Sequence, residues 1–310
     1  MASLSQSEVD TYRDQGYLVL RQCINPKDLS SARVLIEELV NRHARKLYQA
    51  GMISSLYERE SFERRMVVIN EEAGFKTRNW DVTEVSDSPD LYPLILHPVI
   101  LDSVELLLGS EIAWTGSYAA RPKIPQHELT AFPWHQDSQY YGVPTKHLHI
   151  VSVWIPLVDA DERNGCLYII PGSHKWGILK GERAADNNIR TFEDVEKKGE
   201  PVALPMKQGD ILFFTNLTFH TSKLNSTDKV RWSVDLRYVV PPESQTLTAQ
   251  EREGYDTLND HYKMSTITVR SRQQDKIASM QQLKAYVTRR IELLAESRSR
   301  QSIVAREPCC

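Results

Sequence analysis

The stretch FPWHQDSQYYG, residues 132–142, sets His135 and Asp137 two residues apart among Trp134, Tyr140 and Tyr141. On a β-strand, side chains at i and i+2 point to the same side, so an imidazole and a carboxylate can aim at one point. Two such groups do not make a metal site, and the pair alone reads equally well as a polar turn between strands. A third ligand must come from the other histidines, at 43, 97, 127, 147, 149, 174, 220 and 261. His43 and His97 fall in helical patterns, and His174 in a PGSH turn. His147 and His149 follow Asp137 too closely to return across a sheet. His127 precedes the pair in a loop, and His261 lies in a polar C-terminal region. His220 differs: it follows GDILFFTNLTF, a Gly-Asp turn leading into an apolar strand and a tight reversal. Such a strand would deliver an imidazole to the mouth of a barrel.

Two neutral imidazoles and one carboxylate on one face of an octahedron are the ligand set of non-haem Fe(II) oxygenases. Three coordination positions then stay open. A 2-oxoacid chelates through two and leaves one for O2. If the oxoacid is 2-oxoglutarate, its far carboxylate needs a planar partner that is always charged, and Arg231, eleven residues after His220, can supply it. Ser222 can add a hydroxyl to the same carboxylate. A strand-edge ion pair of Arg231 with Asp235, on the same face by period 2, and a turn role for Ser222 are the simpler alternatives.

The elements that would position these groups are mainly β with flanking helices. Segments 112–120, 149–160, 166–172, 210–216 and 231–240 are β-branched and aromatic, short, and bounded by Gly, Pro, Asn or Asp, which suggests an antiparallel sandwich or barrel. The first third reads helical. Ser5 and Glu8 have capping-box spacing ahead of a helix ended by Gly16, and 17–21 is a short apolar strand. Asn25 and Pro26 open a helix to about 49, on which Leu29, Ala32, Leu35, Leu39 and Leu47 recur at helical spacing. Residues 55–90 read as mixed helix and loop. In 273–300, Ile277, Met280, Leu283, Val287, Ile291 and Leu294 predict one helical stripe, suited to the barrel flank or to a homo-oligomer contact.

WHQD, RNGCLYIIPGSHKWG (163–177) and HTS followed by Arg231 resemble the phytanoyl-CoA dioxygenase family of Fe(II)/2-oxoglutarate oxygenases. The resemblance spans about residues 8–240, and YRDQGYLVLR resembles the family's start. It implies a double-stranded β-helix (jelly-roll, cupin-like) core. It also implies His135, Asp137 and His220 on iron, with Ser222 and Arg231 on 2-oxoglutarate. Trp154, eleven residues before Gly165, matches a tryptophan lining the co-substrate pocket, although core packing explains it equally. Ser117 matches a position that helps to bind co-substrate in some members. In related halogenases Gly or Ala replaces the carboxylate, so Asp137 favours oxygenation. Gly165, Gly172 and Asn164 are expected only to form turns.

One oxygenase domain over 1–310 is therefore expected: a helical part to about 110, a jelly-roll core over about 111–242, and a polar helical extension over about 245–310. The expected reaction is oxidation, foremost hydroxylation, of a C–H bond in a small, partly apolar molecule of secondary-metabolite type. Fe(II), 2-oxoglutarate and O2 are the cofactors, and succinate and CO2 the by-products. Trp134, Gln139 and Tyr141 are the candidate substrate contacts, with Phe132 and Tyr140 beside them. No Lys/Arg-rich loop suits the phosphates of coenzyme A, and the chain does not end in SKL. A net charge of −3 with interspersed signs offers no basic field for nucleic acid. The stretch 91–109 carries His97, Pro98, Asp102 and Glu105 and reads as buried helix rather than membrane span. Four cysteines without CxxC spacing and a polar N-terminus fit a cytoplasmic setting. The terminal Cys309-Cys310 reads as a frayed tail, with a prenylation signal as alternative. Two rivals remain: a cupin-like metalloenzyme that uses no keto acid, and a non-catalytic small-molecule binding protein on the same fold.

Overall fold

The computed structural model describes residues 4–74, 80–81 and 88–304, so the Cys309-Cys310 tail and part of the 55–90 segment lie outside the described residues. The chain opens with α1 (Gln6–Gln15), whose capping box is formed by Ser5 and Glu8, and Gly16 ends it in the left-handed conformation (φ 77°). Strand β1 (Tyr17–Leu20) follows. Asn25 caps a 3-10 turn over Pro26–Leu29 that runs into α2 (Ser30–Gln49). Next come α3 (Arg65–Ala73), β2 (Trp80–Asp81), α4 (Tyr92–Ile95) and α5 (Pro98–Leu108). Pro98 cannot continue the hydrogen-bond ladder of α4, so the apolar stretch 91–109 is broken in two. Among the described residues no single helix is long and apolar enough to cross a membrane.

The β region comprises β3 (Glu111–Lys123), β4 (Phe132–His135), the short helix α6 (Asp137–Tyr141), β5 (Val151–Pro156), β6 (Leu167–Ile169), β7 (Gly181–Arg183), β8 (Ile189–Thr191), β9 (Val202–Leu204), β10 (Ile211–Thr215), β11 (His220–Ser222) and β12 (Arg231–Val239). Helix α7 (Ala249–Tyr262), β13 (Ile267–Ser271), β14 (Lys276–Ile277) and α8 (Met280–Val304) complete it. All pairings between these strands are antiparallel. The large sheet runs β1-β10-β5-β12-β3-β13-β14, with β2 also on β3, and the small sheet runs β4-β11-β6-β9. This is the double-stranded β-helix with flanking helices expected from the sequence.

Strand β12 explains how the layers divide. Its sequence RWSVDLRYV alternates polar and apolar residues from Arg231 to Tyr238. Trp232, Val234, Leu236 and Tyr238 face the helix layer and join the main core with Leu35, Ile36, Leu101 and Trp114. The opposite face, toward the small sheet, carries Arg231, Ser233, Asp235 and Arg237, all buried. Trp154, Leu167, Ile169, Leu212 and Phe214 fill a smaller cluster between the sheets.

Two expectations are corrected. Asp137 is not on a strand with His135: β4 stops at His135, and Asp137 is the first residue of α6. The C-terminal helix starts at Met280, because 267–277 turn back as a hairpin on the edge of the large sheet. Ile277 and Met280 are exposed, whereas Leu283, Tyr286, Val287 and Arg290 are buried against the chain's own core. The stripe is thus shorter than predicted and packs within the chain. Replacing Leu283, fully buried, with Ala should cost about 2–5 kcal/mol. Met280→Ala should stay within about 0.5 kcal/mol. Urea unfolding of both variants checks this.

Candidate metal centre

His135 and His220 are register partners across β4 and β11, which sets the rings side by side with centroids 4.1 Å apart. Asp137, two residues past the end of β4, swings its carboxylate to the same point. One ligand atom from each of the three side chains lies within 4.8 Å of the others, and all three residues are buried. The tautomers follow from the backbone. Nδ1 of His135 donates to the Pro133 carbonyl (2.8 Å) and Nδ1 of His220 to that of Thr218 (3.0 Å). Each ring therefore presents an unprotonated Nε2 to the cluster. Burial, reinforced by the neighbouring His220, pushes the His135 pKa down to about 3, and burial also lowers that of His220. Both rings are neutral near pH 7, as metal ligation requires. Burial works to raise the Asp137 carboxyl, but Arg237 and the two imidazoles hold it well below the usual carboxylate range.

The carboxylate is anchored on one side. Ser152 (2.7 Å) and Nε of Arg237 (2.8 Å) both donate to Oδ2, while Oδ1 lies 3.7 Å from Nε2 of His220. Arg237 also donates to Asp235, and Asp235 accepts two bonds from Arg121. Ser152, Arg237 and Arg121 were not singled out in the sequence, and Asp235 was considered only as a partner for Arg231. The alternation of charged and apolar residues along β12 was the signal that could have found Arg237.

A cavity of about 250 Å³ opens beside the three ligating atoms. At one end lies Arg231, 3% exposed, with its guanidinium 5.2 Å above the Trp154 ring. Nη1 donates to Ser233 (2.6 Å) and Nη2 to the Gly165 carbonyl (2.8 Å), and buried Nε has no partner among the described residues. The ion pair with Asp235 is absent, because Asp235 is committed to Arg121 and Arg237. Beside Arg231 is a second cation unforeseen in the sequence. Lys123 is 2% exposed and donates to Oγ of Ser222 (2.7 Å) and to the carbonyls of Ser222 and Thr130. With its oxygen accepting from Lys123, the Ser222 hydroxyl is left to donate. Gly165 fits this corner for a steric reason as well as its φ of 83°: a Cβ there would meet Cε of Lys123 at 2.7 Å. Burial lowers the pKa of Arg231 to about 10 and that of Lys123 well below its ordinary value. Two buried cations, an available hydroxyl and an orphaned guanidinium N–H fit a carboxylate.

The lining also carries aromatic residues, Phe132, Tyr140, Tyr141 and Tyr262, with His261 and Arg121. His261 and Tyr262 come from the end of α7, a region with no motif that would place it here. Ser117 also lines the cavity. Trp134 and Gln139 do not, contrary to expectation. The indole N–H of Trp134 reaches outward to Glu196, and Gln139 ties the backbone of Gln136 and Leu179 and the hydroxyl of Thr191 together.

The family model described as Phytanoyl-CoA dioxygenase (PhyH) matches residues 12–233. A peroxisomal phytanoyl-CoA dioxygenase of Bos taurus is 22% identical over 279 residues, covering 86% of this chain and 80% of the relative. The fold is shared with the carbocyclase SnoK from nogalamycin biosynthesis (TM-score 0.52, 23% identity, 76% and 84% of the two chains). It is also shared with EctD from S. alaskensis, solved with 2-oxoglutarate and 5-hydroxyectoine (TM-score 0.55, 20% identity, 77% of each chain).

Because its folded-state pKa is depressed, Lys123 sheds its proton earlier in the folded chain than in the unfolded one. Between that lowered value and 10.5, stability should therefore rise with pH. Relative to Lys123→Met, the anion-free wild type should gain stability as the pH rises toward 10.5, as read by urea unfolding.

Proposed function

Because the chain belongs to the phytanoyl-CoA dioxygenase family, an Fe(II)- and 2-oxoglutarate-dependent dioxygenase group, we propose that it hydroxylates a C–H bond of a small, partly apolar, uncharged molecule of the secondary-metabolite kind. The balanced reaction is R–H + 2-oxoglutarate + O2 → R–OH + succinate + CO2. The observation that carries this reading is the pair of buried cations, Arg231 and Lys123, beside the His135, Asp137 and His220 cluster in one cavity.

In this assignment His135, Asp137 and His220 hold a ferrous ion, consistent with two neutral nitrogens and one anionic oxygen facing a common point. When bound, the metal with 2-oxoglutarate and O2 supplies the oxidising power. The chain's own residues position and shield. Arg231 and Lys123 anchor the far carboxylate of the keto acid, and the Ser222 hydroxyl donates to it. Trp154 closes the floor beneath Arg231, so the salt bridge forms away from water, where it is strongest. Tyr140, Tyr141, Phe132 and Tyr262 present ring faces and edges that would orient an apolar substrate surface. Both arginines on the substrate side, Arg121 and Arg237, are already neutralised by Asp235 and Asp137. That arrangement favours an uncharged substrate over an anionic one.

Anaerobic titration of the purified chain with Fe(II) and then 2-oxoglutarate tests the assignment, read by the visible absorption that a chelated keto acid produces. Arg231→Ala should weaken 2-oxoglutarate binding by about ten- to a hundredfold, from roughly 1.5–3 kcal/mol for bonds to a charged group, with Fe(II) affinity little changed. Unchanged keto-acid affinity would instead favour a barrel metalloenzyme that uses no keto acid. His135→Ala should abolish metal binding and succinate formation together. A screen of uncharged aromatic and alicyclic compounds, scored by succinate release, identifies the substrate.

A further inference from the structure

Taking the metal assignment above as its premise, we propose that Arg237 is a positioning residue that makes Asp137 a one-oxygen ligand. A carboxylate facing a metal can bind through one oxygen or both. With two imidazoles in place, a chelating Asp137 would occupy a position that the keto acid or O2 needs. The structure commits one oxygen elsewhere. Oδ2 of Asp137 receives Nε of Arg237 at 2.8 Å and the Ser152 hydroxyl at 2.7 Å. Among the described residues no hydrogen-bond donor reaches Oδ1, which faces His220.

Arg237 is itself held through Nε and Nη1. Its Nη1 donates to Asp235 at 2.7 Å and to the Leu236 carbonyl at 3.1 Å, and its Nε also reaches the Tyr141 hydroxyl at 3.0 Å. Asp235 is pinned in turn by Nε and Nη2 of Arg121. The guanidinium lies 5.9 Å from the Phe214 ring, and Phe214 packs on His220 with centroids 4.6 Å apart. Arg121, Asp235, Arg237 and Asp137 thus alternate in sign and sum to zero charge, so Arg237 can bind one oxygen of Asp137 without leaving a net charge buried. Period 2 on β12 places Asp235 and Arg237 on one face, and the register of β12 against β3 brings Arg121 beside them.

Cobalt(II) is the probe, because its visible absorption reports coordination number and needs no turnover. The double variant Arg237→Met with Asp235→Asn removes one charge of each sign, which keeps the buried row balanced. In the full-length chain it is expected to fold, to bind Co(II) about 10- to 100-fold more weakly, and to give an altered cobalt spectrum. The spectral change that 2-oxoglutarate causes in the wild-type cobalt protein should weaken by a similar factor. If that variant does not fold, Arg237→Lys keeps the cation while losing the shared grip on Asp235 and Asp137, and it should shift the spectrum in the same direction. Wild-type cobalt affinity and spectrum in either folded variant overturn the proposal and leave Arg237 a structural residue. Failure of the wild type to bind Co(II), or binding indifferent to His135→Ala, would overturn the metal assignment and this inference with it.

Discussion

Charge buried on the inner face of β12 is the constraint around which the rest of the molecule is arranged. An isolated ion removed from water costs several kcal/mol, so each must find a partner or a ligand. Toward one end of the strand the problem is solved internally, by the alternation of Arg121, Asp235, Arg237 and Asp137. Toward the other end it is not. Lys123 donates all three of its N–H groups, and Arg231 two of its five, to carbonyls and hydroxyls, which carry no compensating negative charge. Burial above all depresses the pKa values of both groups, and the charge of Arg231 adds to the effect on Lys123. A bound dicarboxylate would supply the missing negative charge, and metal binding at the neighbouring cluster would orient the same molecule.

Holding such a row requires a rigid wall, and the large sheet provides it. The residues between the charges on β12, Trp232 and Val234 among them, are fully buried under the helices. Moving the strand by one residue would exchange the two faces, placing charge in the main core and indole in the cavity. Register is therefore strongly fixed, and with it the approach of Arg237 to Asp137. The cross-strand pairing of His135 with His220 is fixed in the same manner in the small sheet. The site's geometry follows from two registers and from the way these sheets face each other.

Much of this was legible in the sequence, and the limits were physical. The strands around 112–120, 149–160, 210–216 and 231–240 carry β-branched and aromatic residues dense enough to stand out, and all are strands in the structure. The cluster of His135, Asp137 and His220 was readable because few histidines follow an apolar strand. Asp137 was misplaced onto a strand because a two-residue spacing also fits a strand end followed by a helix start. The β14 arm of the hairpin was read into the helix because Ile277 and Met280 are spaced as the stripe beyond them is. Trp134 and Gln139 illustrate the limit of proximity in sequence: neighbours of a ligand face it only if the backbone turns them inward. Lys123 was hidden because an isolated lysine looks like surface until the fold buries it.

His261 and Tyr262 were invisible for a different reason. They lie beyond residues 12–233, the span matched by the family model, and far from the metal cluster in sequence. They reach the cavity because α8 clamps the end of α7. Arg290, buried, donates through Nε to the Tyr262 carbonyl (3.0 Å) and through Nη1 to that of Gly116, and its guanidinium lies 5.3 Å from the Tyr262 ring. The aromatic contacts among Tyr141, His261 and Tyr262 then join this end of α7 to the side chain that touches Arg237. The C-terminal extension is therefore a wall of the cavity as well as a cover for the sheet. One chain of contacts runs from Arg290 through Tyr262 and Tyr141 to Arg237 and Asp137, so the surface that meets a substrate and the carboxylate that meets the metal share a support.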